Sequence, residues 1–486
     1  QEHRETKLEP SWDGTVEIAA FSADSRPALQ QMVESWAKAA ETEPSRHRIA
    51  KLSREGRSAF NAKDPQRLVL VMDIADGFDA VFKSCNIAND RLSEGKAGLD
   101  GTVFFNEGCD PGGIAFLFPG QGSQYVGMGR DLICCFPESL SVFQDAARAF
   151  GKDQLLDDCI FPRLNQDPAA AELRLRRTDI AQPAIGAVSV AMLNALTRFG
   201  VTPDATVGHS YGELVALHAA GWITASDLWR LSLERGRLMA EAGRALSDPG
   251  TMLAVMAPVE DIAVMVSSLN GEVVLANRNS LSQGVLSGAG DAIAEAESEC
   301  RRRRWRSVKL PVAAAFHSPL VADALGPFFR STEKTTFSPG QITVMSNARG
   351  KSYPTEPGEI RQTLSRQLAH PVDFLSNVQS LHRTGIKTFV EIGPKTVLSQ
   401  LVHACLDDPE VRVMAVDQSS GSQSGIADLA SVVGKLAVLG YPVKLQGWEK
   451  PKPEVRASRM TIPLSGSNYR RPKAPVPPKS PQLDMA

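Results

Sequence analysis

The chain has 486 residues, and its 53 basic against 55 acidic side chains leave a formal net charge of −2. A content of 43% hydrophobic and 22% charged residues is typical of a globular protein with about three domains. The balance of charge argues against a nucleic-acid-binding domain, which is normally distinctly basic. Seven cysteines without Cys-x-x-Cys spacing favour reduced thiols and no metal site. Without an apolar run of 18 residues or a signal-peptide pattern, we expect a cytoplasmic protein with no membrane span.

The first 112 residues read as a small α/β unit. Residues 15–21 and 67–72 have strand-like patterns, and residues 25–40 have a helical one. The Gly-, Asp- and Pro-rich segment 106–113 predicts a linker. Beyond it, short buried strands alternate with amphipathic helices, which is typical of a parallel α/β sheet.

The pattern changes within residues 250–311. Four strand-like and two helical segments follow one another there as strand, helix, strand, strand, helix, strand, namely 252–256, 259–269, 273–275, 284–286, 292–303 and 307–310. This order predicts a ferredoxin-like unit inserted between two parts of a larger domain, residues 113–249 and 312–445. Residues 446–486 are rich in proline and lysine, which predicts an extended linker.

The most informative segment is Gly208-His209-Ser210-Tyr211-Gly212, between a short strand and a helix. A Gly-x-Ser-x-Gly sequence in this setting predicts a nucleophile elbow, with the hydroxyl of Ser210 at the helix N-terminus. An incidental Gly-Ser-Gly turn is the alternative. A serine nucleophile needs a base, and His317 follows a strand-like run from which it can reach across a sheet. A purely structural histidine remains the alternative at that position.

A Gly-rich loop, residues 119–124, follows the predicted strand 114–118. It can offer backbone N–H groups to an oxyanion. A dinucleotide-binding loop is disfavoured because Tyr125 stands where the third glycine is expected. Arg235 lies 25 residues after Ser210 on the next helical segment, where a surface arginine is the simpler interpretation.

Seven motifs occur in a recognisable order over residues 112–445: FPGQGSQ at 118–124, AQPAI at 181–185, GHSYGE at 208–213, RG-x-L-M at 235–239, NS-x-x-Q at 279–283, AAFHSPL at 314–320 and EIGP at 391–394. With them the chain resembles the acyltransferase domains of polyketide and fatty acid synthases and the related malonyl-CoA:acyl carrier protein transacylases. Residues 1–112 resemble the linker between ketosynthase and acyltransferase in such synthases, and residues 446–486 the linker that follows the acyltransferase. The exact residues within and around some of these motifs are similar to those of iterative synthases of polyunsaturated fatty acids and enediynes.

The resemblance implies an α/β-hydrolase-like core with an inserted ferredoxin-like subdomain. It also implies that Ser210 accepts the acyl group, that His317 is its base, and that the backbone amides of Gln121 and Tyr211 form the oxyanion hole. The imidazole would be oriented by the backbone carbonyl of His370, within Gln367 to Pro371.

Five further residues acquire a substrate-binding role from the resemblance. Arg235 would pair with the free carboxylate of a malonyl group, which its planar fork of donors fits. Gln182 would line the same pocket, and Phe316 would occupy the space that a methyl branch needs. Asn279 and Gln283 would line the cleft. Ala314 departs from the His often present there, which weakens the assignment of malonyl.

The implied reaction transfers malonyl from CoA to the phosphopantetheine thiol of an acyl carrier protein, beside a ketosynthase domain and without metal or cofactor. No nucleic acid or membrane partner is expected. Three alternatives remain open: a serine hydrolase or editing thioesterase that releases free acid, a transferase for methylmalonyl- or acetyl-CoA, and a non-catalytic scaffold. The first residue is not Met, which suggests a fragment of a longer protein, although a chain shortened for expression would begin in the same way.

Overall fold

The computed structural model describes residue 11 and residues 14–449, except residues 109, 152–154, 164, 246, 270–271 and 349. The described residues up to 449 belong to one unit of the chain, and residues 450–486 are assigned to a second unit. The second unit lies outside the described residues, and with it nearly all of the predicted C-terminal linker.

The N-terminal part contains one more strand than its sequence pattern predicted. Its elements are β1 (Val16–Ala23), α1 (Arg26–Thr42), α2 (Arg46–Ala59), β2 (Gln66–Asp73), α3 (Phe78–Glu94) and β3 (Val103–Glu107). The three strands form an antiparallel sheet in the order β1-β2-β3. Alternate residues of β2 face two different cores: Leu68 and Leu70 pack with α1 and α3, whereas Val69 and Val71 join the main core. Burial on both faces explains the near-continuous apolar runs of these strands.

The main domain is built on a six-stranded sheet. Its first part contains β4 (Gly113–Phe118), α4 (Arg130–Cys135), α5 (Pro137–Phe150), α6 (Leu156–Ile160), α7 (Pro168–Leu175), α8 (Thr178–Thr197), β5 (Ala205–Gly208), α9 (Gly212–Ala219) and α10 (Ala225–Ala245). Among the described residues, α8 alone is long and apolar enough to cross a membrane, but 89% of its apolar stretch is buried in the protein. Such burial is typical of a core helix of a soluble protein.

The middle part of the chain forms a second sheet. Its elements are β6 (Thr251–Met256), α11 (Val259–Ser268), β7 (Val273–Ser280), β8 (Gln283–Gly288), α12 (Gly290–Arg302) and β9 (Arg306–Lys309). The strand β7 continues five residues beyond the predicted segment 273–275, because the polar residues that follow still pair with β8. This extension carries Asn279 to the end of the strand.

The last part of the chain returns to the main sheet. Its elements are α13 (Leu325–Thr332), β10 (Thr343–Ser346), β11 (Lys351–Ser352), α14 (Pro357–Arg366), β12 (Val372–Asp373), α15 (Phe374–Arg383), β13 (Ile386–Glu391), α16 (Val397–Cys405), β14 (Arg412–Ala415) and α17 (Gly425–Leu439). The six-stranded sheet has the order β11-β10-β5-β4-β13-β14 and is parallel except for β11. The second sheet has the order β12-β7-β8-β6-β9, so β12 joins it from this last part. The carboxyl ends of β4, β5 and β10 therefore meet at one edge, where ligands of parallel sheets bind.

Candidate active site

Ser210 lies in a sharp turn between β5 and α9. Its φ of 52° is in the left-handed region, which is strained for a residue with a side chain. Glycine is required on both sides of it. A Cβ at Gly208 would lie 2.0 Å from the backbone N of Glu213, and one at Gly212 would lie 2.0 Å from the carbonyl oxygen of Phe118. The turn is thus compatible only with the Gly-x-Ser-x-Gly pattern.

The side chain of His317 meets Ser210 although 107 residues separate them. The distance from Ser210 Oγ to His317 Nε2 is 2.7 Å, and His317 is 3% exposed. Burial, and next the positive charge of Arg235, lower the pKa of His317 to about 3. The imidazole is therefore neutral near pH 7, and a neutral ring is the form that accepts a proton from a hydroxyl.

The ring of His317 is oriented by a backbone carbonyl, as predicted for this segment, but from a different residue. His317 Nδ1 lies 2.9 Å from the carbonyl oxygen of Gln367. The expected carbonyl of His370 makes only a smaller contribution to the pKa of His317. Since α14 ends at Arg366, the carbonyl of Gln367 lies at the helix terminus and is available as an acceptor. The assignment to His370 is corrected to Gln367.

Two backbone N–H groups close to Ser210, one in the loop after β4 and one in the elbow, have no acceptor among the described residues. The loop after β4 packs on the elbow, where the His209 N–H donates to Phe118 O at 3.0 Å. Within the described part of the chain, neither the Gln121 N–H nor the Tyr211 N–H has a hydrogen-bond acceptor. Both amides are therefore available to an oxygen that gains negative charge beside Ser210.

Arg235 is not a surface arginine, because it is only 1% exposed on α10. Its Nη2 lies 3.3 Å from Ser210 Oγ and donates to Gln367 Oε1 at 2.9 Å. Its Nη1 is buried and has no hydrogen-bond partner among the described residues. Burial lowers the pKa of Arg235 to about 10, so the guanidinium remains charged at pH 7. A buried cation with a free donor beside the nucleophile suits an anionic group on a substrate.

The other predicted binding residues line one cleft of about 830 Å³ that opens at Ser210. Gln182 and Phe316 are 1% and 5% exposed, and Gln182 Oε1 has no hydrogen-bond partner among the described residues. Asn279 Oδ1 lies 2.9 Å from His209 Nε2, and Asn279 Nδ2 donates to Gln283 Oε1 at 2.9 Å. A chain of hydrogen bonds thus joins the elbow to the second sheet.

Sequence reasoning missed two polar residues that support the elbow. Asn347, after β10, forms hydrogen bonds with both ends of the turn. Glu213, within the recognised motif, accepts a hydrogen bond from the Asn347 backbone at 2.7 Å, and burial raises the pKa of this carboxyl to about 8. Asn347 lies in no recognised motif and no strand was predicted directly before it, so the short apolar run at residues 344–345 was the one available signal.

Comparison with known proteins agrees with this geometry. The family model described as "Acyl transferase domain" matches residues 115–436. A polyunsaturated fatty acid synthase polypeptide of Thraustochytrium sp. is 31% identical over 82% of this chain and 15% of its own length. The malonyl CoA-acyl carrier protein transacylase of Bacillus subtilis is 34% identical over 62% of this chain and 96% of its own length.

Solved structures show the same relationship. The acyltransferase domain from the second module of the salinomycin polyketide synthase is 28% identical, with a TM-score of 0.67 over 88% of this chain and 94% of that domain. The chain spans 15% and 16% of the length of two large synthases that it matches, but nearly all of the transacylase. A hydrogen-bonded serine–histidine pair, backbone donors without an acceptor among the described residues, and a family match over most of the main domain lead to one conclusion: the chain belongs to the acyl transferase domain family.

Proposed function

We propose that the protein transfers a malonyl group from CoA to the phosphopantetheine thiol of an acyl carrier protein, through an ester on Ser210. The observation that carries this proposal is the Nη1 of buried Arg235, which has no partner in the part of the chain that the structure describes, on a guanidinium that also contacts Ser210 Oγ. A substrate carboxylate on Nη1 would lie on the same guanidinium whose Nη2 is 3.3 Å from the nucleophile. The name of the Bacillus relative, a malonyl CoA-acyl carrier protein transacylase, agrees with this substrate.

In the first half-reaction, Ser210 Oγ attacks the thioester carbonyl while its proton passes to His317 Nε2. The carbonyl oxygen becomes an oxyanion, to which the N–H groups of Gln121 and Tyr211 donate. The intermediate collapses as the C–S bond breaks, and His317 returns its proton to the departing CoA sulfur. The products are CoA thiol and malonyl-Ser210.

In the second half-reaction, the carrier thiol gives its proton to His317 and attacks the ester. The C–O bond to Ser210 then breaks, and the serine oxygen recovers the proton. The carboxylate of the malonyl group stays on Arg235 throughout, with Gln182 beside it, so the acyl group keeps its position between the two steps. Phe316 fills the space next to the α-carbon and disfavours a branched acyl group. Asn279 and Gln283 line the path of the pantetheine arm.

The wider setting is also proposed from the relatives. The acyl carrier protein and a neighbouring ketosynthase domain are the expected partners, in the cytoplasm, and the polyunsaturated fatty acid synthases are the expected subclass. The main sheet corresponds to an α/β-hydrolase-like core of residues 113–249 and 312–445, interrupted by a ferredoxin-like insert at 250–311. Residues 1–112 and 446–486 act as linkers on either side.

Intact-mass spectrometry after incubation with malonyl-, methylmalonyl- or acetyl-CoA tests this function. We expect malonyl-CoA to add a malonyl mass to the wild-type chain and nothing to Ser210→Ala. Adding a phosphopantetheinylated carrier protein should move that mass to the carrier. Predominant acetylation contradicts the role of Arg235.

The hydrolase alternative predicts a different outcome of the same experiment. A thioesterase would release free malonate whether or not carrier protein is present. The ratio of malonyl-carrier to free malonate therefore separates the two functions. A scaffold without activity would show no mass change with any of the three thioesters.

A further inference from the structure

Asn347 occupies the position directly behind the nucleophile turn. It follows β10, which pairs with β5 in parallel, so the carboxyl ends of both strands lie side by side. The side chain of Asn347 is 1% exposed and points at the turn that follows β5. It lies 137 residues from Ser210 in the sequence.

Asn347 binds the turn at both ends. Its Oδ1 accepts a hydrogen bond from the Ser210 N–H at 2.8 Å, and its Nδ2 donates to the Gly208 carbonyl at 2.8 Å. Its own backbone N–H donates to Glu213 Oε1, on the helix that leaves the turn, at 2.7 Å. One residue thus connects the strand, the turn and the helix of the elbow.

We infer that Asn347 is a positioning residue, which holds Ser210 in its left-handed conformation and directs the Ser210 N–H away from the reacting carbonyl. Glu213 in turn holds the backbone of Asn347. The inference rests on the proposed acyl transfer at Ser210.

The strain of the turn supplies the physical reason. The backbone of Ser210 at φ 52° persists only where neighbouring groups determine it, and His317 is also in the left-handed region, at φ 58°. Without a fixed turn, Ser210 would relax and the 2.7 Å contact between Oγ and Nε2 would lengthen. Misplacement of a nucleophile by about 1 Å lowers a rate about 100-fold.

The hydrogen bond to Asn347 also explains which amides remain free. Because the Ser210 N–H is already satisfied, it does not compete for the oxyanion. The N–H groups of Gln121 and Tyr211, without acceptors in the described part of the chain, are left for it.

The test measures the reactivity of Ser210 with a fluorophosphonate probe, which needs neither malonyl nor carrier protein. The variants are Asn347→Ala and Asn347→Asp, with Thr206→Val as the matched control. Thr206 is fully buried on β5 and donates to Ala216 O at 3.1 Å, so its loss weakens the same strand without touching the turn. We expect Asn347→Ala to label about 100-fold more slowly and Thr206→Val within about twofold of wild type.

Steady-state kinetics supply a second readout. We expect kcat of Asn347→Ala for malonyl transfer to fall with the labelling rate, while KM for malonyl-CoA stays within about twofold, because the binding groups are unchanged. The labelling rate and kcat of Asn347→Asp should recover as the pH is lowered from 8 to 6, since a protonated Asp both accepts and donates hydrogen bonds as Asn does. Glu213 is also present in the wild type and in Asn347→Ala, so the pH dependence of these two proteins shows any effect of its titration.

Labelling of folded Asn347→Ala at the wild-type rate overturns the inference. If that variant does not fold, Asn347→Asp decides alone, and equal labelling at pH 6 and pH 8 overturns the inference. Wild-type chain that reacts with the probe but not with malonyl-CoA refutes the proposed function and leaves the role of Asn347 standing.

Discussion

The two walls of the cleft differ in kind. On the side of the main sheet, Ser210 and His317 line the cleft, Arg235 is buried beside Ser210, and hydrogen bonds join Ser210 to both. On the side of the second sheet, the lining combines apolar side chains with amides and hydroxyls, and includes Met256 and Val308, which are 40% and 49% exposed. The first wall determines the chemistry through the fixed positions of its hydrogen-bonded groups. The second determines shape, which apolar side chains adjust at small cost.

This difference predicts that substitutions in the first wall have large effects on the rate, and that those in the second wall have small effects on binding. The largest effect is expected for Arg235→Met, which removes the cation and keeps an apolar side chain of similar reach. Loss of one partner from a buried charge pair costs about 2–4 kcal/mol, so kcat/KM for malonyl-CoA should fall about 30- to 1,000-fold. The kcat/KM for acetyl-CoA should stay constant or rise, because an acetyl group has no carboxylate to pair with Arg235.

Arg237→Met is the matched control for that measurement. Arg237 is on the same helix but half exposed, and it pairs with Glu234 and Glu241. We expect its kcat/KM to remain within about twofold of wild type, because exposed ion pairs contribute little. An equal loss in both variants would contradict the role given to Arg235.

The pH profile of Arg235→Met provides a second test of the difference between the two walls. The charge of Arg235 is one cause that lowers the pKa of His317 to about 3. Its removal should therefore raise this pKa, while burial, the larger cause, keeps it below 6.5. The acid limb of kcat/KM, which reports the free enzyme, should move to higher pH in Arg235→Met. An acid limb that stays in place or moves to lower pH contradicts the influence of the Arg235 charge on the pKa of His317.

An intermediate effect is expected at Phe316, which lies beside His317 and faces the cleft. Phe316→Ala opens space next to the α-carbon, and one methyl group accounts for about 1–3 kcal/mol of discrimination. The ratio of kcat/KM for methylmalonyl-CoA to that for malonyl-CoA should rise about tenfold. Phe337→Ala controls for lost packing, since Phe337 is equally buried at 5% exposure and does not line the cleft. An unchanged ratio would assign the selectivity to another residue.

The smallest effect is expected in the second wall. Gln283→Ala removes the hydrogen bond to Asn279 Nδ2, and a single such bond contributes about 0.5–1.5 kcal/mol. KM for malonyl-CoA should rise about two- to tenfold, with kcat unchanged. A loss in kcat/KM as large as that of Arg235→Met would show that the two walls do not differ in this way. Gln30→Ala, at an exposed pair with Glu34, is the control.

Much of the local structure was predictable because neighbouring residues determine it. The Gly-x-Ser-x-Gly turn follows from close contacts at Gly208 and Gly212 that any side chain would prevent. The apolar runs in β1 and β2 predicted both strands to within two residues, since burial on both faces of a sheet produces such near-continuous runs. The polar end of β7 was missed, because pairing with β8 outweighs its weak apolar pattern.

The sequence by itself determined the turn that presents Ser210 and, through ordered motifs, the residues that accompany it. Only the tertiary structure decided that Gln367 rather than His370 orients the imidazole, that one nitrogen of Arg235 lacks a partner among the described residues, and that Asn347 holds the turn. The reason is physical. These facts depend on hydrogen-bond distances between groups 50 to 137 residues apart along the chain, which no local pattern encodes.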